Sequence, residues 1–476
     1  MFNKIQKRIL FTLFTASLFI FSVGASPTDN EMSFEINGLQ DLDPLVDLEV
    51  TVEIQAIRSL QKFEYPNPKT LEAIDWFSDP DFFVKVIIND QEFVSDIWYD
   101  TKYIYNPDFS PTLDVSDEEE FVNIKIQLYD WNAFGNVLCD LSANGKDVEL
   151  TYSLKTGHWS GGDFLEDSSG YGRLNGCADG SMYKRQRDCE LWFNIYQNDF
   201  DGDGIPYWTE VNEYDTDPLV DNTGEDSDKD DVPIEWEWKW NYDPFKKDNH
   251  YYLDPDDDGL DNLEEYFVSK WGSDPYRADV FIELDYMEES PDGVSSVLPE
   301  GADELLSTAF NRFDKVFHLD EGEMGGGGEI IPFDDYIGDR DLDKVYDEYF
   351  LHYDDNNWRR GVFRYSLIIY DPGRAGYNFR RGAFVLSSNR IKEKPTPDIP
   401  RTRAVAWASV YMHEMGHTFD FHNPGVDNPN FWQYVNYKSC MLYRYTYRLV
   451  DYSDGSRIND FNDWEDMDLK HFQREW

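Results

Sequence analysis

The chain has few basic residues for its length. Lysine and arginine together number 42 against 95 aspartates and glutamates, so the formal net charge is −53 over 476 residues. A charge of this sign opposes binding to nucleic acid, keeps the protein dispersed in water and supplies oxygen ligands for hard cations. Adaptation to a salty habitat is the other explanation of the same excess. We therefore expect no nucleic-acid partner.

Long apolar runs are also scarce. One lies near the start, where residues 9–23 follow Lys4, Lys7 and Arg8 and end before Gly24-Ala25. This pattern predicts a secretory signal peptide over residues 1–25 and a secreted, extracellular protein, free or associated with the cell surface. An uncleaved membrane anchor is the alternative, although the run is short for a span of about 20 residues.

Cysteine is rare, with residues only at 139, 177, 189 and 440. Four cysteines permit three pairings, and in a secreted chain they are expected to form disulfides. The short separation of Cys177 and Cys189 predicts a local bridge across a loop. A Cys139–Cys440 bridge then follows by elimination alone.

Histidine is scarce too, eight residues in all, yet two of them lie in His413-Glu414-Met-Gly-His417. Residues i and i+4 share one face of a helix, so His413 and His417 can hold a single Zn²⁺ while Glu414 reaches the water beside it. The stretch 402–419 is rich in Ala, Val and aromatic residues, which predicts a helix buried on nearly all sides. Buried polar groups need partners, and a metal satisfies all three. A surface helix with these residues by chance is the alternative.

A second motif, Ser439-Cys440-Met441-Leu442-Tyr443, follows about twenty residues later. In this order the two motifs resemble the metzincin family of zinc metallopeptidases, in which an S-x-M-x-Y Met-turn lies beneath the zinc. The resemblance implies that Met441 is the apolar floor of the site and that Tyr443 binds the metal or stabilises the oxyanion. It also implies a C-terminal α+β peptidase domain over residues 277–476 whose substrates are proteins or peptides.

The third zinc ligand departs from the family pattern. Metzincins read H-E-x-x-H-x-x-G-x-x-H, whereas this chain has Asp420 and Asn423 at the last two positions and His422 one place early. His422 is our first choice if the helix ends near Phe419, because a continuing helix would place it about 140° from the ligand face. Asp420, near that face, and Asp427, in the following loop, are the alternatives, since zinc accepts both nitrogen and carboxylate oxygen.

Residues 30–195 are predicted to form an all-β sandwich. Alternating apolar and polar residues predict strands at 48–54, 82–88 and 121–128. Ser78-Asp-Pro-Asp81 and Tyr129-Asp-Trp-Asn132 are similar to the calcium loops of C2 domains. The resemblance implies a C2-like fold, bound Ca²⁺ and a lipid or surface ligand. Asn132 replaces an acidic ligand of that family, so an ordinary sandwich with acidic loops is the alternative.

Residues 196–276 contain a repeat of acidic loops that start at 199, 226 and 254. The loops fit D-x-D-x-D-G-x₅-E, the EF-hand type calcium loop, except that Asp231 replaces the Gly of the second. They resemble thrombospondin type 3-like repeats, which implies that Ca²⁺ supplies much of the folding free energy of this segment. The predicted calcium ligands are Asp199, Asp201, Asp203, Glu210, Asp226, Asp228, Asp230, Glu237, Asp254, Asp256, Asp258 and Glu265.

The C-terminal region from residue 277 has strand patterns at 278–286, 362–370 and 382–387 and an amphipathic helix pattern at 302–317. Together these features predict a secreted, calcium-stabilised zinc endopeptidase with Glu414 as its general base. The out-of-register third ligand favours the alternative, a calcium-dependent adhesion or binding protein with a degenerate peptidase domain. A zinc hydrolase acting on another substrate class is a third interpretation.

Overall fold

The computed structural model describes residues 48–60, 79–116, 118–133, 135–143, 145–162, 172–177, 187–394, 402–421, 436–458 and 460–470. Four features of the sequence analysis lie outside these residues: the signal peptide over 1–25, Ser78, His422 and Asp427. Contacts group Leu42–Trp476 into one compact unit. In the described part of the chain, no helix has the length and apolar character needed to cross a bilayer.

The N-terminal part is a β-sandwich, as predicted. One sheet has the order β10-β11-β1-β4 with β5 beside β1, and the other has the order β3-β2-β6-β8-β9 with β7 beside β6. The inward residues of both sheets meet in one apolar core, and the alternation of buried and more exposed side chains is clearest along β6. The strands are β1 (Glu49–Ser59), β2 (Phe82–Ile88), β3 (Gln91–Val94), β4 (Tyr103–Phe109), β5 (Thr112–Asp114), β6 (Phe121–Asp130), β7 (Val137–Leu138), β8 (Val148–Ser153), β9 (Trp159–Gly161), β10 (Gly172–Asn175) and β11 (Cys189–Gln197).

A short helix follows each acidic loop of the middle segment: α1 (Tyr207–Thr209), α2 (Ile234–Lys239) and α3 (Asn262–Val268). Asp261 caps α3, and its carboxylate accepts hydrogen bonds from the backbone N–H groups of Leu263 and Glu264. Such short helices offer few buried positions, so large side chains fill the small core. Val232, Trp236 and Trp240 form its centre.

The C-terminal part contains a mixed sheet of order β13-β12-β15-β17-β16, with β14 beside β12. Pairing is parallel except at β16, which is antiparallel to β17 and ends the sheet. The strands are β12 (Asp279–Met287), β13 (Val316–Asp320), β14 (Ile330–Ile331), β15 (Phe363–Ile369), β16 (Gly376–Arg380) and β17 (Ala383–Ser387). The helices are α4 (Ala302–Asn311), α5 (Asp339–Val345), α6 (Arg359–Val362), α7 (Ser388–Ile391) and α8 (Arg403–Gly416).

Strand β12, which has a partner on each side, is buried along its whole length. Val280, Ile282 and Leu284 pack in one core with α4 and α8, whereas Phe281 belongs to a second core on the opposite face. Covering both faces is what a mostly parallel sheet requires. The region is therefore α/β, with helices on both sides of the sheet, and not the α+β arrangement predicted.

The predicted helix at 302–317 is wrong at its C-terminal end. Helix α4 ends at Asn311, and Asp314 has a left-handed backbone with φ of 55°. The next residues form β13, in which Phe317 pairs with Val280 of β12. Parallel pairing with a buried strand thus overrides a helical periodicity that continues past the real end of the helix.

The predicted disulfides are not formed, since all four cysteines are free thiols. Cys139 lies in the sandwich core and Cys440 in the core under α8, so the predicted Cys139–Cys440 bridge is wrong. The thiol of Cys189 interacts with that of Cys139, and Cys177 contacts Asp188 instead. An isolated bridge between Asp140 and Asp188 brings the neighbouring Cys139 and Cys189 together, a proximity that sequence separation does not indicate.

Arg173 of β10 joins the sandwich to the C-terminal part. Its guanidinium is fully buried, pairs with Glu190 and lies 3.3 Å from both the backbone oxygen of Asn311 and a carboxylate oxygen of Asp314. Asn175 donates to the same Asn311 oxygen at 2.8 Å. One buried charge network therefore connects the two cores.

Replacing Arg173 by Met should lower the free energy of unfolding by about 3–5 kcal/mol, because Glu190 is left buried without its partner. The control, Lys344→Met, removes an exposed pair with Asp341 and should cost at most about 1 kcal/mol. Urea unfolding followed by tryptophan fluorescence, with calcium present, measures both. Equal transition midpoints for the two variants would contradict the assigned role of Arg173.

Candidate functional site

Helix α8 carries His413, Glu414 and the approach to His417 into the core. Thr402 caps its first turn by accepting the N–H of Val405 at 3.2 Å, and residues 405–416 are all buried. The helix ends at Gly416, continues as a 3₁₀ turn over His417–Phe419, and stops at Asp420 with φ of 54°. The helix thus ends where the choice of His422 as third ligand requires, because the chain leaves the helical path before residue 422.

The two histidines and Glu414 come together at the end of α8. Their ligand atoms lie within 4.8 Å of one another, and the imidazole centroids are 5.0 Å apart. The Nδ1–H of His413 donates to the backbone oxygen of Cys440 at 2.9 Å, which leaves Nε2 as the nitrogen for a metal. These residues therefore offer the donor set and the orienting hydrogen bond of a metal centre.

Burial sets the charge state of this site without a metal. It lowers the pKa of His413 to about 4, helped by His417, so His413 is neutral and able to ligate. It raises the pKa of Glu414 to about 8 because nothing offsets the desolvation of the carboxylate. A cation held between the histidines would bind the neutral His413 and stabilise the ionised carboxylate of Glu414.

Met441 packs against the turn that carries the two histidines. It is fully buried, and a side chain at Gly416, between the two histidines, would collide with its sulfur. The Ser439 hydroxyl shapes this turn by accepting the N–H of Met441 at 3.2 Å. Tyr443 lies at the mouth, 62% exposed, with its ring centroid 5.4 Å from that of His413.

The edge strand β16 passes over Glu414. A Cβ built at Gly376 would lie 2.5 Å from a carboxylate oxygen of Glu414. A sheet edge of this kind can accept an extended peptide as one more strand. Sequence reasoning missed β16 because its residues, half-buried along most of the strand, do not alternate clearly. It also missed the Cys440 oxygen, since no sequence pattern reports a backbone acceptor.

The three acidic loops share one backbone geometry. In each, the first Asp accepts the N–H of the sixth residue through Oδ2, and that sixth residue has positive φ. Asp231 adopts this left-handed conformation, with φ of 78°, where the other loops have Gly. The three hydrogen bonds are Gly204 to Asp199 at 2.7 Å, Asp231 to Asp226 at 3.0 Å and Gly259 to Asp254 at 3.2 Å.

The last glutamate of each loop is buried: Glu210, Glu237 and Glu265 are at most 1% exposed. Neither carboxylate oxygen of Glu237 or Glu265 has a hydrogen-bond partner among the described residues. The three aspartates of each loop have ligand atoms within 4.8 Å of one another. Buried acceptors without donors need a compensating group, so these acidic groups can hold a metal ion.

The third loop is attached to the α/β sheet. Asp258 accepts the N–H of Asp279, the first residue of β12, at 2.7 Å. Near the C-terminus, Lys470 places its Nζ 3.2 Å from Asp254 of the same loop. An ion bound in this loop would therefore stabilise the start of β12.

The acidic loops of the sandwich behave differently. Asp130 is fully buried, and its carboxylate accepts the Asp81 N–H at 3.2 Å and the Asn132 amide at 2.9 Å. Asp79 pairs with Lys102 at 2.9 Å. These carboxylates have donors within the protein, so the geometry gives no independent sign of the calcium that the C2 resemblance implies.

No protein-family model and no curated protein matches this chain. Among solved structures it is similar to a C2 domain, with a TM-score of 0.20, 8% identity and coverage of 32% of this chain and 98% of that one. A C2 domain of a plant extended synaptotagmin 1 has a TM-score of 0.20, 13% identity and coverage of 32% and 95%. The two calcium-bound C2 domains of extended synaptotagmin 2 have a TM-score of 0.20, 10% identity and coverage of 33% and 47%. These TM-scores are too low to add to what the strand order shows.

Without calcium, the stability of the loops should depend on pH. Burial raises the pKa of Glu210 to about 8 and of Glu237 to about 7, from 4.5. Below about pH 4.5 both are protonated whether or not the chain is folded, and as pH rises to about 8 the unfolded chain ionises more easily, so the folded loops lose stability. We expect protease cleavage between 196 and 276 to accelerate over this range in EGTA and to stay slow in calcium.

The matched control is the Glu210→Gln/Glu237→Gln double variant in EGTA, whose cleavage should depend less on pH because neither side chain can ionise. A wild-type cleavage rate that is the same at pH 5 and pH 8 in EGTA would contradict the role given to the two glutamates.

Proposed function

We propose that this protein is a secreted zinc-dependent endopeptidase whose acidic loops bind calcium and stabilise the catalytic region. The observation that supports the proposal most directly is the buried end of α8. There the Cys440 oxygen orients His413, whose ligand atom lies within 4.8 Å of ligand atoms on His417 and Glu414. The edge strand β16 lies over Glu414, where an extended peptide can bind.

The protein donors fit zinc in type and orientation. His413 Nε2 and His417 would hold the ion, with His422 as the proposed third ligand and Asp420 and Asp427 as alternatives. Bound zinc supplies Lewis acidity, which polarises a carbonyl group and makes a water molecule easier to deprotonate. Met441 packs against the turn between the two histidines and limits their movement.

The remaining steps belong to protein groups. Glu414 takes the proton of the attacking water and passes it to the leaving amine. Tyr443, at the mouth of the site, donates a hydrogen bond to the oxyanion. The backbone of β16 binds the substrate in extended form and places its scissile bond near Glu414, since Gly376 has no side chain to intrude. The lipid or surface ligand that the C2 resemblance implies for the sandwich stays a prediction.

Replacing Glu414 by Gln should leave zinc bound and reduce peptide hydrolysis by at least about 100-fold, because general acid–base catalysis typically contributes 10²–10⁴-fold. Hydrolysis of a denatured protein substrate and zinc content by mass spectrometry measure the two effects. Glu348→Gln, an exposed glutamate in the same region, is the control and should keep full activity. Full hydrolysis by Glu414→Gln would overturn the mechanism.

The third ligand is tested by the zinc content of the wild type beside three alanine variants. We expect His422→Ala to hold one zinc per chain fewer than the wild type, and Asp420→Ala and Asp427→Ala to hold as many as the wild type, because the helix ends at the turn before residue 422. Loss in a different variant would move the ligand to that residue. A wild type that holds no more zinc than the His413→Ala/His417→Ala chain in metal-replete medium would favour the calcium-dependent adhesion protein.

A further inference from the structure

A buried histidine faces the ligands of the second acidic loop. His250 is 1% exposed and lies in a 3₁₀ turn, His250–Tyr252, that follows this loop and α2. Its Nε2 is 3.2 Å from Oδ2 of Asp230 and 3.6 Å from Oε1 of Glu237. Both carboxylates are themselves buried, at 7% and 0% exposure. One nitrogen and two oxygens thus converge on a point away from water.

The spacing suits a transition metal better than calcium. Calcium is bound by oxygen ligands at about 2.3–2.6 Å, so an imidazole nitrogen has no place in its coordination shell. Zinc bonds to nitrogen and oxygen are about 2.0–2.2 Å, which in a tetrahedron separates neighbouring ligand atoms by about 3.4 Å. The observed distances of 3.2 and 3.6 Å lie on either side of that value, and all three ligand atoms are within 4.8 Å of one another.

The buried polar atoms around this point lack well-formed hydrogen bonds to other protein groups. Neither oxygen of Glu237 makes a hydrogen bond of good geometry among the described residues, and Nε2 of His250 contacts the two carboxylates without one. Nδ1 of His250 lies 3.0 Å from the Asn262 amide nitrogen, and the Asn262 oxygen also has no partner. Exchanging that oxygen and nitrogen by a 180° rotation lets Nδ1–H donate to oxygen, as in most metal-bound histidines. The Nε2 lone pair then points at two carboxylates, an arrangement that a dication held between them, in place of a proton on Nε2, would satisfy.

Aromatic rings hold His250 in place. Its ring makes edge contacts with Tyr242, at a centroid distance of 4.9 Å, and with Trp236, at 5.9 Å. Asp226 and Asp228 have ligand atoms within 4.8 Å of one on Asp230, so further oxygens are available. The site is therefore built from a fixed nitrogen donor and an acidic loop.

We propose that Asp230, Glu237 and His250 form a second transition-metal site, for Zn²⁺ or a similar first-row dication, separate from the end of α8. The second loop then differs in metal preference from the first and third, which keep calcium. This assignment does not depend on peptidase activity, since it uses none of the residues of the zinc motif.

The test uses the full chain with His413→Ala and His417→Ala, in saturating calcium, with Zn²⁺ as the probe. Equilibrium dialysis should find one bound zinc per chain. Adding His250→Gln should weaken this binding by at least 10–100-fold, the loss typical of removing even an outer-shell partner. His318→Gln is the matched control, because His318 is buried and pairs with Asp279 outside the loop, and it should leave zinc binding unchanged.

Folding of the His250→Gln chain is checked by its calcium-dependent protease resistance. If that resistance is lost, Asn262→Ala decides, since it should weaken zinc binding about 10–100-fold while every metal ligand remains. Absence of zinc in the parent chain, or zinc binding that is unchanged in the folded His250→Gln or Asn262→Ala chain, would overturn the proposal. The second loop would then be a calcium loop in which His250 only donates a hydrogen bond.

Discussion

Buried carboxylates without internal donors are the constraint on which the rest of this structure depends. Glu237 and Glu265 are removed from water with no hydrogen-bond partner among the described residues, and burial alone raises the pKa of Glu414. Each such group costs free energy unless it is protonated or paired with a cation. The apolar packing that buries these groups therefore also creates the demand for metal ions.

In the sandwich, hydrogen-bond donors of the protein stabilise the buried carboxylates instead. Asp130 is as deeply buried, but a backbone N–H and the Asn132 amide donate to its carboxylate. Arg173 likewise forms an ion pair with Glu190 and donates to the backbone oxygen of Asn311 at the end of α4. Carboxylates in the sandwich thus stabilise the fold without an ion, whereas those of the middle segment lack such donors and would be stabilised by a bound cation.

The third loop connects this need for a cation to the region that carries the candidate site. Asp258 accepts the first N–H of β12, an interior strand of the sheet that packs on α8. The third loop is therefore linked to His413 and His417 through β12 and the core that β12 shares with α8. Under the proposed function, calcium-poor conditions would weaken the region that holds the catalytic residues, and export into a calcium-rich medium would stabilise it.

The sequence by itself determined the local features, because they depend on residues close in the chain. Helix i, i+4 geometry places His413 beside His417, and loop stereochemistry gives Asp231 the conformation of a Gly. Alternation predicted the sandwich strands for the same reason. Only the tertiary structure decided features that join distant segments: the Cys440 oxygen on His413, β16 over Glu414, and Cys139 beside Cys189. It also decided that His250 faces Glu237, since strand pairing and core packing, not spacing, bring these groups together.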